Sequence, residues 1–154
     1  LHWQELPIRE VLDLAGAYAL LAHGIARWGC YFAGCCYGTL STTPLLSVIY
    51  TDAASLAPLH LPLYPTQIMM SLASLAGFVL LRFVVYPWRG RPLGTVVAWY
   101  ILYESTSRFI IDFWRGDRPL SVGSGVLSFY QYAAIMVILG SLASIVILHR
   151  CRRR

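Results

Sequence analysis

Apolar residues fall along this chain in four long runs, at about 11–28, 66–85, 93–113 and 126–148. A helix needs roughly 20 apolar residues to cross the hydrocarbon core of a bilayer, so the last three runs fit a span and the first is short but admissible. The pattern predicts a polytopic all-α bundle of about four transmembrane helices, a single domain over residues 1–154. Between the second and third runs, YPWRGRP (86–92) reads as a tight turn, and WRGDRPLSVGSG (114–125) links the third to the fourth. The stretch 29–65 is a long connection. Within it, 45–62 holds a β-branched run and two prolines, a pattern that suits a short strand as well as a surface helix.

Composition sharpens this picture. The chain is 58% hydrophobic and 12% charged, which leaves too little polar surface for a soluble domain of its size. All twelve basic residues are arginine, and with seven acids the net charge is +5. So few charges in all speak for membrane orientation and against nucleic acid as a partner. Arg82, Arg89 and Arg91 bracket one turn, Arg150, Arg152, Arg153 and Arg154 form the tail, and Arg9 precedes the first helix. The enrichment of basic residues in short cytoplasmic loops assigns those regions, and both termini of this chain, to the cytoplasm. The connection 28–65 has no Lys or Arg and one acid, Asp52, as an external loop should. The opening LHWQELPIRE lacks both an initiator Met and the regions of a signal peptide, and the chain is expected to be part of a longer protein.

Arg27, Arg108, Arg115 and Arg118 then fall at or near external helix ends, where the orientation rule does not call for them. Snorkelling to headgroup phosphates is one account of Arg118 and of Arg115, a role at a site the other. Arg27 and Arg108 keep polar company on their own helices. Glu104, Arg108 and Asp112 stand four residues apart with Arg115 just beyond, and at 3.6 residues per turn they share one helical face. A charge near the bilayer centre costs roughly 2.5–3.5 kcal/mol, so the stripe must face protein, water or an anionic ligand. Either the two acids hold the Arg108 guanidinium and reduce its burial cost, or one of them accepts a proton.

The densest constellation is HGIARWGCYFAGCCYG at 23–38. His23 and Arg27 lie one turn apart, and Gly29, Gly34 and Gly38 let the backbone turn and approach something closely, whether a ligand or a neighbouring helix. His23 is a second candidate base or else a packing residue. Of four cysteines, Cys30, Cys35 and Cys36 are clustered and Cys151 lies in the tail. No C-x-x-C pair occurs, which argues against zinc and redox motifs, and adjacent Cys35 and Cys36 do not easily close an unstrained disulfide. They read either as small buried residues lining the turn or as thiols open to oxidation, exchange or metal binding.

The same residues resemble a known family. HGIARWGCYFAGCCYG is similar to the signature of bacterial prolipoprotein diacylglyceryl transferases, G-R-x-G-N-F-x-N-x-E-x-x-G, with Arg27, Gly29 and Gly38 on its Arg, second Gly and last Gly. Tyr64-Pro65-Thr66-Gln67 resembles its H-P-[ST]-Q, the segment from Arg108 through Asp112 to Arg115 resembles its R-F-x-x-E-x-x-R, and Leu127, Ser128 and Gln131 loosely echo its last helix. Cys30 and Cys35 replace the signature's Asn and Glu, Tyr64 its His, and Asp112 its Glu. The resemblance implies a seven-helix protein of which this chain is the C-terminal four, with a His-Gly-Gly segment upstream.

It also implies an enzyme of lipoprotein biosynthesis in the bacterial cytoplasmic (inner) membrane. Such an enzyme transfers diacylglyceryl from phosphatidylglycerol to the lipobox cysteine of a prolipoprotein signal peptide, with no metal or nucleotide cofactor. Arg27 and Arg108 are then expected to clamp the lipid phosphate, helped by Arg115, Gly29, Gly38 and Gln67. The base stays open among Glu104, Asp112 and His23. The alternatives are a membrane thiol-redox or metal-handling protein using Cys30, Cys35 and Cys36, or a non-catalytic lipid-binding homologue.

Overall fold

The computed structural model describes residues 7–117 and 127–153 and is mostly helical. Four helices, α1 (Ile8–Ala33), α2 (Thr66–Leu80), α3 (Thr95–Ile111) and α4 (Phe129–Arg153), match the four apolar runs. α2 continues through a π-helical turn, Leu81–Val85, and α3 through a 3-10 turn, Asp112–Trp114. Two segments, Thr66–Val85 and Phe129–Cys151, are long and apolar enough to cross a membrane on their own. α1 carries Arg9, Glu10, Asp13 and Arg27, and α3 is only 17 residues long, so neither qualifies by that measure alone.

α1 outruns the expected 11–28 at both ends. Gly29 sits inside the helix with open space where a Cβ would be, so it makes no turn; Gly34 does. Its left-handed φ of 71° ends α1, and the connection therefore begins five residues later than the spacing of glycines suggested. The ambiguous 45–62 stretch holds the strand, not a surface helix: β1 (Val48–Ile49) pairs antiparallel with β2 (Pro62–Leu63) in the register Val48 to Leu63. Tyr50, Ala57 and Leu63 form a small core beneath this ribbon.

α1, α2 and α3 pack on one another, and α4 packs chiefly on α3. The shared core is Ala17, Leu20, Leu81 and Val96, ringed by Phe78, Val85, Tyr86, Trp99, Tyr100 and Tyr103. Small residues let the backbones approach, as in membrane bundles. A Cβ on Gly77 would stand 2.4 Å from Tyr103 and 2.9 Å from Leu20, so one glycine sets the spacing of three helices. Met136, Leu139 and Ile147 of α4 are exposed, an outward apolar face that suits lipid or further helices.

At the end of the bundle opposite the β-ribbon, Asp13 is fully buried. Its carboxylate accepts hydrogen bonds from the Arg91 guanidinium, from the Gly94 N–H at 3.0 Å and from the Val97 N–H at 3.1 Å. A side chain of α1 thus satisfies the orphan donors at the start of α3 and fixes the 86–94 turn.

Candidate active site

Three stretches far apart in sequence meet where α1 ends. After Gly34, Cys36 adopts φ 57°, a left-handed value that costs a non-glycine residue about 1–2 kcal/mol. The first turn of α2 fastens it: Thr66 Oγ1 donates to the Cys36 carbonyl at 2.7 Å and Gln67 Nε2 to the Cys35 carbonyl at 2.8 Å. The chain then threads between the start of α2 and the end of α3. Gly38 N–H donates to the Tyr64 carbonyl at 3.1 Å, Thr39 N–H to the Trp114 carbonyl at 2.8 Å, and Gly116 N–H to the Tyr37 carbonyl at 2.9 Å. A Cβ at Gly38 would lie 2.4 Å from the Tyr64 oxygen, and one at Gly116 2.6 Å from the Gly38 oxygen. Only glycine lets these backbones touch.

Arg27 and Arg115 face one narrow cavity above this crossing, walled also by Cys36, Thr66, Met70 and Ile111. Its volume of ≈ 10 Å³ admits about one oxygen-sized group rather than a whole headgroup. Arg115 is anchored by a bidentate pair with Asp117, Nε to Oδ1 and Nη2 to Oδ2 both at 2.9 Å, which raises its pKa above the ordinary arginine value. Arg27 has no carboxylate partner among the described residues. Its Nε donates to His23 Nε2 at 2.8 Å, and its Nη1 lies 3.7 Å from Cys36 Sγ and 4.0 Å from Cys30 Sγ.

Because Arg27 can only donate, His23 Nε2 must be the acceptor, which leaves the proton of a neutral ring on Nδ1. That nitrogen is 2.9 Å from Glu104 Oε1 and 3.3 Å from Ser74 Oγ. Glu104, His23 and Arg27 form a relay from α3 to α1, and Glu104 Oε2 is buried with no hydrogen-bond partner among the described residues.

Glu104, Arg108 and Asp112 stand a turn apart along α3 and its 3-10 end, but among the described residues no ion pair joins Glu104 to Arg108. Glu104 turns to His23, and Asp112 accepts a hydrogen bond from Ser128 Oγ at 2.6 Å, tying the end of α3 to the start of α4. Arg108 lies with its guanidinium carbon 5.7 Å from the Tyr130 ring centre, one helical turn before Ile111 and outside the cavity lined by Arg27 and Arg115. Gln67, 1% exposed, holds the Cys35 carbonyl and the Tyr50 hydroxyl, and it lines the cavity as well. Tyr64, in the position of the signature's histidine, turns its hydroxyl to Thr42 at 3.2 Å, and the hydroxyls of Thr42 and Thr43 lower its pKa. Arg118 lies outside the described residues.

Ser128 and Gln131 carry a local signal of their own besides the loose family echo. Ser128 and Gln131 bond reciprocally, Ser128 N–H to Gln131 Oε1 at 2.9 Å and Gln131 N–H to Ser128 Oγ at 3.2 Å. This is the S-x-x-Q capping box that opens α4. Ser74 carries no local signal, since its partner His23 is 51 residues away, and Thr66 stands out in the sequence only as part of Tyr64-Pro65-Thr66-Gln67. The sulfurs of Cys30, Cys35 and Cys36 lie within 4.8 Å of one another. Burial, then the neighbouring Cys30, pushes the Cys35 thiol up to about 11.

Comparison with known proteins decides the ancestry of this arrangement. The family model described as prolipoprotein diacylglyceryl transferase matches residues 1–147. The chain belongs to that family. Relatives include phosphatidylglycerol-prolipoprotein diacylglyceryl transferase 2 of Clostridium perfringens, 38% identical over 136 residues, 88% of this chain and 50% of the relative. The phosphatidylglycerol-prolipoprotein diacylglyceryl transferase of Clostridium tetani is 33% identical over 139 residues, 90% of this chain and 52% of the relative. One from Dehalococcoides mccartyi is 34% identical over 113 residues, 73% and 42%. This chain thus spans about half the length of the curated relatives it matches. No solved structure matches it. Within the transferase family's signature, the backbone crossing at Gly38 gives the last glycine its reason, while Gly29 makes no contact that requires one.

Proposed function

We propose that this chain is the phosphate-binding half of a membrane transferase that moves a diacylglyceryl group from phosphatidylglycerol to the cysteine thiol of a prolipoprotein signal peptide. The observation that carries the reading is the pair of guanidiniums, Arg27 and Arg115, at one cavity, with no carboxylate paired to Arg27 among the described residues. A planar, permanently charged fork suits two phosphate oxygens in a way that a lysine does not. The names of the family relatives support the same chemistry.

In the proposed reaction the thiol sulfur attacks the glyceryl carbon bonded to the phosphate. The S–C bond forms as the C–O bond breaks, the thiol proton passes to a base, and glycerol phosphate departs with one more negative charge than the diester carried. Arg27 and Arg115 stabilise that added charge in a water-poor cleft. Arg108, a turn before Ile111 and over Tyr130, is a third guanidinium for the headgroup from the α4 side. His23 is the base in this reading: when Arg27 turns to the phosphate it releases Nε2, and Glu104 steadies the imidazolium that results. Asp112 is a positioning residue that sets the α3 end against α4. No metal or nucleotide takes part, since the lipid itself carries the leaving group.

The protein is proposed to be a multi-pass resident of the bacterial cytoplasmic membrane, seven helices in all, with the cleft at the outer leaflet and both ends of this chain in the cytoplasm. The arginine distribution and the two strongly apolar helices support that placement. The test is rescue of a bacterium depleted of its own transferase by the full-length gene, read as growth and as diacylglyceryl-modified lipoprotein. Growth failure with the protein present in the membrane would instead favour a non-catalytic lipid-binding homologue.

A further inference from the structure

We propose that Cys30, Cys35 and Cys36 form a three-thiolate site for a soft d10 metal ion, of the Cu(I) class, at the C-terminal end of α1. All three sulfurs lie within 4.8 Å of one another. Three sulfurs around an ion at the usual metal–sulfur distance of about 2.3 Å sit roughly 4.0 Å apart, so rotations of the side chains by a few tenths of an ångström at the sulfur close the site.

The local backbone is arranged for this convergence. Cys30 stands on the last turn of α1, Gly34 reverses the chain with φ 71°, and Cys36 is held in a left-handed conformation at φ 57°. The Arg27 Nη1 atom lies 3.7 Å from Cys36 Sγ and 4.0 Å from Cys30 Sγ, so two of the thiols lie near one point. A residue kept in a strained conformation marks a place where the surrounding structure over-determines the geometry. Here Thr66 does so by its bond to the Cys36 carbonyl.

Ligand chemistry narrows the ion. Thiolates select soft ions over calcium, magnesium or manganese, and no histidine or carboxylate joins the group among the described residues, which suits three-coordination over the four ligands of structural zinc. The negative end of the α1 dipole disfavours bare thiolates there, so a cation that takes up part of their charge is favoured over a free thiolate nucleophile. Arg27 offsets the excess charge of the complex, which is 2− for a monovalent ion with three thiolates. Binding forms three metal–sulfur bonds and releases three protons to solvent, with no electron transfer when the ion is supplied as Cu(I). Cys36 and Arg27 also wall the anion cavity, so an ion and an anion would share one side of it.

This inference does not rest on the transferase reading, and its assay needs no lipid. Full-length protein in detergent, reduced and free of oxygen, is titrated with Cu(I) in competition with a chromophoric Cu(I) chelator. One ion per chain is expected, with affinity reduced by more than about a hundredfold in the Cys30→Ser, Cys35→Ser, Cys36→Ser triple variant and unchanged in Cys151→Ser. Alkylation of the unaltered protein followed by mass spectrometry keeps the test independent of variant folding. Cu(I) should protect Cys30, Cys35 and Cys36 and leave the exposed Cys151 reactive. Equal labelling of all four cysteines with and without Cu(I), or recovery of a Cys30 to Cys35 disulfide in protein that binds no ion, would overturn the proposal.

Discussion

His23 Nδ1 lies 2.9 Å from Glu104 Oε1, and this contact joins α1 to α3 at the level of the cleft. It fixes which ring nitrogen faces Arg27. Glu104→Gln keeps the shape but removes the charge that would steady a protonated imidazole. In the purified full-length enzyme, turnover should fall about a hundredfold or more, with substrate affinity little changed. An unaltered turnover number would remove Glu104 and His23 from the proton path.

Arg27→Lys retains the positive charge and loses the planar fork. Transfer should drop by roughly 10²–10³-fold, the usual cost of one lost donor to a developing anion. Arg108→Lys, measured beside it, weighs the two guanidiniums. The cavity contacts predict the larger loss for Arg27, and equal losses would mean that Arg108 reaches the phosphate from its seat on Tyr130.

Two signature glycines should respond in opposite directions to alanine. Gly38→Ala forces a Cβ to within 2.4 Å of the Tyr64 oxygen and should destabilise the protein by about 3 kcal/mol or more, seen as a lower thermal midpoint in detergent. Gly29→Ala adds a methyl in open space inside α1 and should stabilise by about 0.5–1 kcal/mol. A destabilised Gly29→Ala would point to a neighbour of α1 among the residues beyond this chain.

Asp13→Ala takes the acceptor from Arg91 Nη1 and from the Gly94 and Val97 N–H groups, while Arg91 Nε keeps the Tyr86 carbonyl. Removing one partner of such a pair costs about 3–5 kcal/mol, so the variant should be cleaved readily by protease in the 86–94 turn while the ribbon at the other end resists. Protease resistance equal to the unaltered protein would mean that water satisfies Arg91.

The helices were legible because each is an apolar run of sufficient length, and the ends of α2 and α3 came within a few residues of the structure. The α1 end was not, because Gly29 and Gly34 look alike in sequence and only one of them takes a positive φ. The spacing of Glu104, Arg108 and Asp112 places them a turn apart along α3 and its 3-10 end but does not show which groups on other helices they meet. Neighbours at four residues compete with groups on other helices, and at 104 and 112 His23 and Ser128 won. The convergence of Arg27 with Arg115, and of the three cysteines with one another, depends on where the chain crosses itself between Gly38, Tyr64 and Gly116. No local pattern encodes such a crossing.

That crossing is made of main-chain amides and carbonyls, so with Gly38 and Gly116 kept it survives exchange of the side chains around it. A lineage can therefore rewrite the chemistry lining the cleft without renegotiating how its helices meet. The mould is inherited and the lining is replaceable.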